Sequence, residues 1–127
     1  TTESAGLAVL GMAMGLAVSA FARTEFQAIQ FKLADMALEI EAARLLLYQA
    51  CWLKDQNRPF TKEAAMAKLY CSELMGRVAN HAVQIHGGYG LMKEYDVERF
   101  YRYQRLLEIG EGTSEVQRLV ISRYIGC

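Results

Sequence analysis

The sequence predicts an all-α fold, an up-and-down four-helix bundle with an extra short C-terminal helix, on three observations. Pro59 is the only proline in 127 residues. Ala, Leu, Met, Glu, Lys and Gln abound while β-branched residues are sparse, the composition of a chain that favours helix throughout. Apolar positions also recur at alternating steps of four and three, the period of helices that pack along a stripe. A chain of this length buries roughly two-thirds of its unfolded surface without disulfides, so residues 1–127 read as a single domain.

The first element is the uncharged stretch Ala5 to Ala22. It is long enough to be weighed as a membrane span, but it is built from Ala, Gly and Met and has no basic residue before it. A buried helix is the better reading. Gly11 and Gly15 then serve close helix packing. A second helix runs from Ile29 to about Gln56, with Leu33, Met36, Ile40, Ala43 and Leu47 as its seam. Asn57 to Phe60 ends it, because Pro59 cannot continue a helix, and Thr61 with Glu63 supplies an N-cap and a first-turn acid for the next. That third helix reaches about His86 along a small-sided seam of Ala65, Leu69, Ser72, Gly76, Ala79 and Val83, which admits a neighbouring backbone closely. Gly87, Gly88 and Gly90 then break helical geometry. Asp96 is expected to cap a short helix containing Val97, Phe100, Gln104 and Leu107. Gly110 and Gly112 interrupt it, and Ser114 with Gln117 fits a capping box opening the last helix.

Several function classes are excluded. Fourteen basic residues balance fourteen acidic ones and neither sign forms a block, so no nucleic-acid footprint is present. Cys51, Cys71 and Cys127 make no CxxC, and His81 and His86 lie five apart on different helix faces, so neither a disulfide framework nor a metal site is expected. The compartment reads as reducing.

The chemistry is left to the two glycine breaks. Exposed amides beside a helix end can cradle an anion such as a pyrophosphate, and Gln84, one turn earlier, offers a donor and an acceptor. A plain glycine helix stop explains the same residues. Glu111 stands between Gly110 and Gly112, where small neighbours let a substrate approach. It reads either as a base or as a solvated loop residue.

Taken together, four segments resemble the C-terminal helical domain of the flavin-dependent acyl-CoA dehydrogenases: FQAIQFKLADMALEIEAAR at 26–44, QIHGGYG at 84–90, EYDVERFYR at 94–102 and IGEGTSEVQRLVISR at 109–123. The resemblance implies that Glu111 is the catalytic base, removing the α-proton of an acyl-CoA thioester while the β-hydrogen leaves as hydride to FAD. It further implies that Gln84, Gly87 and Gly88 contact the adenosine-diphosphate part of FAD across a subunit interface, and that Thr113 and Glu115 contact the cofactor after the base. Arg23 stands as a candidate FAD-phosphate arginine, and Gly110, Gly112 and Arg123 as substrate-side residues. A homodimer or tetramer is implied, in the cytoplasm or, in a eukaryote, the mitochondrial matrix.

The sequence departs from the family pattern in three places. Arg23 to Gln27 joins two helices that members separate by a loop of about ten residues. Ser4 stands where members often place a substrate-meeting arginine, and Arg102-Tyr103 replaces an Arg-Asp pair. The family's N-terminal helical domain and middle β-domain are not in this sequence, so the isolated chain is expected not to complete a turnover. The alternative reading is a non-catalytic bundle that retains the family's oligomerisation surface.

Overall fold

A computed structural model describes residues 27–127, and the expectations for Ser4, Ala5 to Ala22 and Arg23 lie outside those residues. The described part is all-α: α1 (Gln27–Asp55), α2 (Thr61–His86), a 3-10 turn (Gly87–Leu91), α3 (Asp96–Ile109) and α4 (Ser114–Ile125).

The seam read for α1 is the seam found. Leu33, Met36, Ile40, Ala43 and Leu47 are all buried, continued by Ala50 and Leu53. They pack on Cys71, Leu74, Met75, Val78, Ala79 and Ala82 of α2. The two helices run antiparallel, since Arg77 bonds Glu39 (2.7 Å) while Cys71, earlier in α2, approaches the carbonyl of Ala43, later in α1.

The small-sided seam of α2 does what small residues permit. An added Cβ on Gly76 would lie 2.9 Å from Gln104 Oε1 and 3.2 Å from Glu108 Oε1, so α3 lays two polar side chains against the α2 backbone. α3 is antiparallel to α2, with Glu98, Tyr101 and Arg102 beside Gln84 and the later Gln104 and Glu108 beside Gly76. α4 packs on the first half of α2 through Arg118 to Glu73 (2.6 Å) and through Val120 and Tyr124 beside Thr61. Among the described residues α2 is therefore the central helix, and the other three are arranged around it.

All three expected caps fall one residue late. The N-caps are Phe60, Tyr95 and Thr113, not Thr61, Asp96 and Ser114. Phe60 and Tyr95 make no side-chain cap, and first-turn acids (Glu63; Asp96 and Glu98) complement the helix dipole in their place. At α4 the Thr113 hydroxyl accepts from the Val116 amide (3.3 Å), and the Gln117 side chain turns away from the cap. The capping box is therefore not formed. The glycine run after His86 also stays coiled, as the 3-10 turn. Of its three glycines only Gly87 takes a positive φ (+60°), while Gly90 serves close packing, since a Cβ there would lie 2.7 Å from the Val83 carbonyl.

Burial at the centre of α2 gives a pH-dependent signature. Cys71 is 1% exposed, and removal from water pushes its thiol up from 9.0 to about 11. The folded value lies above the unfolded one, so this contribution to stability is complete below pH 9 and is lost as pH rises to 11, by roughly 2–3 kcal/mol. Burial lowers Lys68, which acts with the opposite sign in the same alkaline range. The thiol term is isolated by comparing urea unfolding of the parent and Cys71→Ala at pH 8 and pH 10.5. The expected outcome is a steeper alkaline loss in the parent; equal losses would refute it.

Candidate functional site

The sequence-predicted residues fall into two groups at opposite ends of the α2–α3 pair. The first group surrounds the turn between α3 and α4. α3 ends at Ile109, Gly110 is extended (φ −66°, ψ 149°), and Glu111 takes φ +54° before Gly112 at φ +94°. A left-handed backbone on a non-glycine residue costs about 1–2 kcal/mol, and the two flanking glycines let the chain reverse there. Glu111 is exposed, at the head of α4.

Thr113 and Glu115 lie next to Glu111 and are engaged locally. The Thr113 hydroxyl caps α4, and the Glu115 carboxyl is held low by its own backbone amide and by the Thr113 hydroxyl. Arg123 is not brought to this turn. Twelve residues after Glu111, it is exposed in the last turn of α4, beside Thr61 and Tyr124 and on the order of 15 Å along the helix.

Lys68, which sequence reasoning missed, and Gln117, which it placed in a capping box, secure the turn from beneath. Lys68, 8% exposed, donates from Nζ to the carbonyl of Gly112 at 2.6 Å. Gln117, also 8% exposed, directs Nε2 to the carbonyls of Gly112 (3.4 Å) and Glu111 (3.5 Å). The signal for Lys68 was available: a charged residue stands between Ala65 and Ser72 on an otherwise small-sided seam. Beside them Ser114 Oγ and Gln104 Oε1 are buried with no hydrogen-bond partner.

The second group is at the far end of α2. Gln84, Gly87 and Gly88 are exposed, and a Cβ on either glycine would meet nothing within 4 Å, so this backbone is open to a ligand. An adjoining recess of about 350 Å³ is lined by Asn80, Gln84, Gly90, Leu91, Tyr101 and Arg102. The turn is anchored from within. His86 is buried, its Nδ1 donates to the Ala82 carbonyl (2.8 Å), and its ring meets Tyr95 edge-on. Sixteen residues of helix separate Lys68 from Gln84, about 24 Å. The two groups therefore do not form one compact site within a protomer.

α1 carries a further feature on the side away from α2. Phe31, Leu38, Leu45 and Trp52 recur every seven residues, each more than half exposed. Each is two positions from a buried residue, about 200° round the helix, so α1 has two apolar faces and α2 covers only one.

Among the described residues no group of three His, Cys, Asp or Glu side chains could hold a metal ion, and no helix is long and apolar enough to cross a membrane.

Known proteins resemble this chain in sequence and in fold. Residues 9–126 match the family model of the acyl-CoA dehydrogenase C-terminal domain. A probable acyl-CoA dehydrogenase of Bacillus subtilis, YngJ, is 66% identical over 102 residues, 80% of this chain and 27% of that protein. The mitochondrial short-chain specific acyl-CoA dehydrogenase of Bos taurus is 58% identical over 102 residues, 80% of this chain and 25% of that one. Butyryl-CoA dehydrogenase from Megasphaera elsdenii superposes with a TM-score of 0.94 at 40% identity, over 98% of this chain and 35% of that structure. The chain thus spans about a quarter of the length of the curated relatives it matches.

Proposed function

Because the chain belongs to the acyl-CoA dehydrogenase family as its C-terminal domain, we propose that it supplies the catalytic base, Glu111, for α,β-dehydrogenation of an acyl-CoA thioester, together with part of the FAD site. The observation that carries this reading is the Glu111 turn itself: an exposed carboxylate on a left-handed backbone, flanked by two glycines and held from below by Lys68 and Gln117. A thioester α-proton is only weakly acidic, so the base must be within hydrogen-bond reach of it and fixed in orientation. Gly110 and Gly112 serve the turn rather than open space beside it, since a Cβ on them would lie 3.0 Å from the Leu106 carbonyl and 2.8 Å from Gln117 Nε2.

The residues at the other end of α2 fit a dinucleotide. The uncrowded backbone at Gly87 and Gly88 lets pyrophosphate oxygens approach, although the Gly87 amide itself donates to the Gln84 carbonyl, and Gln84 lies beside them with a recess behind it. FAD, when bound, supplies the acceptor for the β-hydrogen. Thr113 and Glu115 would reach it from the base side, within the limits set by capping α4, and Arg23 would meet a phosphate. Arg123 is the weakest of the substrate-side residues, because it stands far along α4 from the base.

The separation of about 24 Å between the two groups supports a homo-oligomer in which one protomer's Gln84 end serves its partner's cofactor. The outer face of α1 supplies a surface for such assembly. It also favours a second reading, a bundle whose role is assembly alone. The expected compartment is the cytoplasm, or the mitochondrial matrix in a eukaryote.

Size-exclusion chromatography with absorbance and light scattering, on the full-length protein with FAD, separates the readings. Flavin is expected to co-migrate with a dimer or tetramer and to be lost in Gln84→Ala. In Leu38→Glu/Leu45→Glu the mass is expected to fall, and flavin with it. A colourless oligomer would leave only the assembly role.

A further inference from the structure

The feature that the proposed reaction does not use is the ammonium under the base turn. Lys68 sits on the buried face of α2 among Ala65, Ala67, Cys71 and Ser72, where an apolar side chain of the same length would pack without loss of hydration. A lysine is retained at a site that penalises its charge. Burial lowers its pKa against the opposing pull of the Glu108 and Glu111 carboxylates. What the charge secures is specific. Nζ reaches across 44 residues of sequence to the Gly112 carbonyl at 2.6 Å, and that carbonyl closes the pair of positive-φ residues Glu111 and Gly112, where the turn enters α4. Gln117 Nε2 approaches the same oxygen at the longer distance of 3.4 Å, so Lys68 makes the shorter contact.

We propose that Lys68 is a positioning residue for the reaction. Its ammonium pins the Gly112 carbonyl and so holds the Glu111 backbone in the left-handed conformation that presents the carboxylate. This rests on Glu111 being the base. Without the pin, the backbone of a non-glycine residue at this φ relaxes toward an ordinary region and the carboxylate moves with it. A shift of about 1 Å in a reacting group costs on the order of 100-fold in rate. The variant that removes the charge and keeps the length is Lys68→Met.

In the full-length FAD-loaded protein, Lys68→Met is expected to lower kcat about 30- to 100-fold, with FAD content and the KM for acyl-CoA changed less than about twofold. Lys68→Arg, which keeps a charged donor, is expected to recover most of kcat. A readout independent of turnover is the ¹³C shift of the Gly112 carbonyl, expected to move in Lys68→Met and to return toward the parent value in Lys68→Arg. An unmoved carbonyl shift in Lys68→Met overturns the proposal. So does a loss of kcat that only follows loss of flavin or that Arg does not rescue, for that is a structural role. Should Lys68→Met not fold, Lys68→Gln takes its place under the same criteria. If Glu111→Gln keeps its turnover, the base assignment fails, and the Gly112 shift still reports whether Lys68 holds the turn.

Discussion

Replacing Glu111 by glutamine in the full-length flavoprotein is expected to lower kcat by about a thousandfold, with bound FAD unchanged. The amide is isosteric with the carboxylate and keeps the turn, but it cannot accept the α-proton, and a positioned general base contributes about 100- to 10,000-fold. Flavin retention is expected because the isosteric amide leaves the residues proposed to contact FAD, Thr113 and Glu115 beside it and Gln84, Gly87 and Gly88 at the far end of α2, in place. The fold should also be unaffected, because the exposed Glu111 side chain supports no packing and the turn is held through backbone carbonyls. Retained turnover in the variant would remove the base from the account.

Leu74→Ala is expected to destabilise the fold by about 2–5 kcal/mol in urea unfolding. Leu74 is 1% exposed at the middle of α2, within the cluster shared with α1 and α3, where truncation leaves a cavity that three helices cannot all close. The control is Leu38→Ala on α1, 71% exposed, for which the expected change under conditions that keep the chain monomeric is within about 0.5 kcal/mol. A loss at Leu38 as large as at Leu74 would mean that the outer face of α1 is covered within the same protomer.

Sequence periodicity located the helices because burial is periodic. Each seam residue proposed for α1 is buried, and Ala65, Ser72 and Ala79 are buried on α2. Helix starts were less legible. The three expected caps were the most polar candidates, but helix entry at Phe60 and Tyr95 rests on packing and on first-turn acids, which leave no capping residue to read. The outer face of α1 was also hidden, since an apolar residue every seven positions looks like ordinary core until the structure shows that α2 takes only one face.

The site was legible in part. The glycines around Glu111 and those after His86 stood out in the sequence, because closely spaced glycines interrupt helix. The left-handed φ of Glu111 was not legible, and the charge on the α2 seam marked Lys68 without naming its partner, because that contact joins residues 44 positions apart through a backbone carbonyl.

The most direct test of the central claim separates proton abstraction from hydride transfer. Phenylacetyl-CoA has α-protons and no β-hydrogen, so with the full-length flavoprotein in deuterated buffer, α-deuterium incorporation followed by mass spectrometry or proton NMR reports the base alone. The account predicts rapid exchange with the parent and loss of exchange in Glu111→Gln. Undiminished exchange in Glu111→Gln would contradict it and place the base elsewhere.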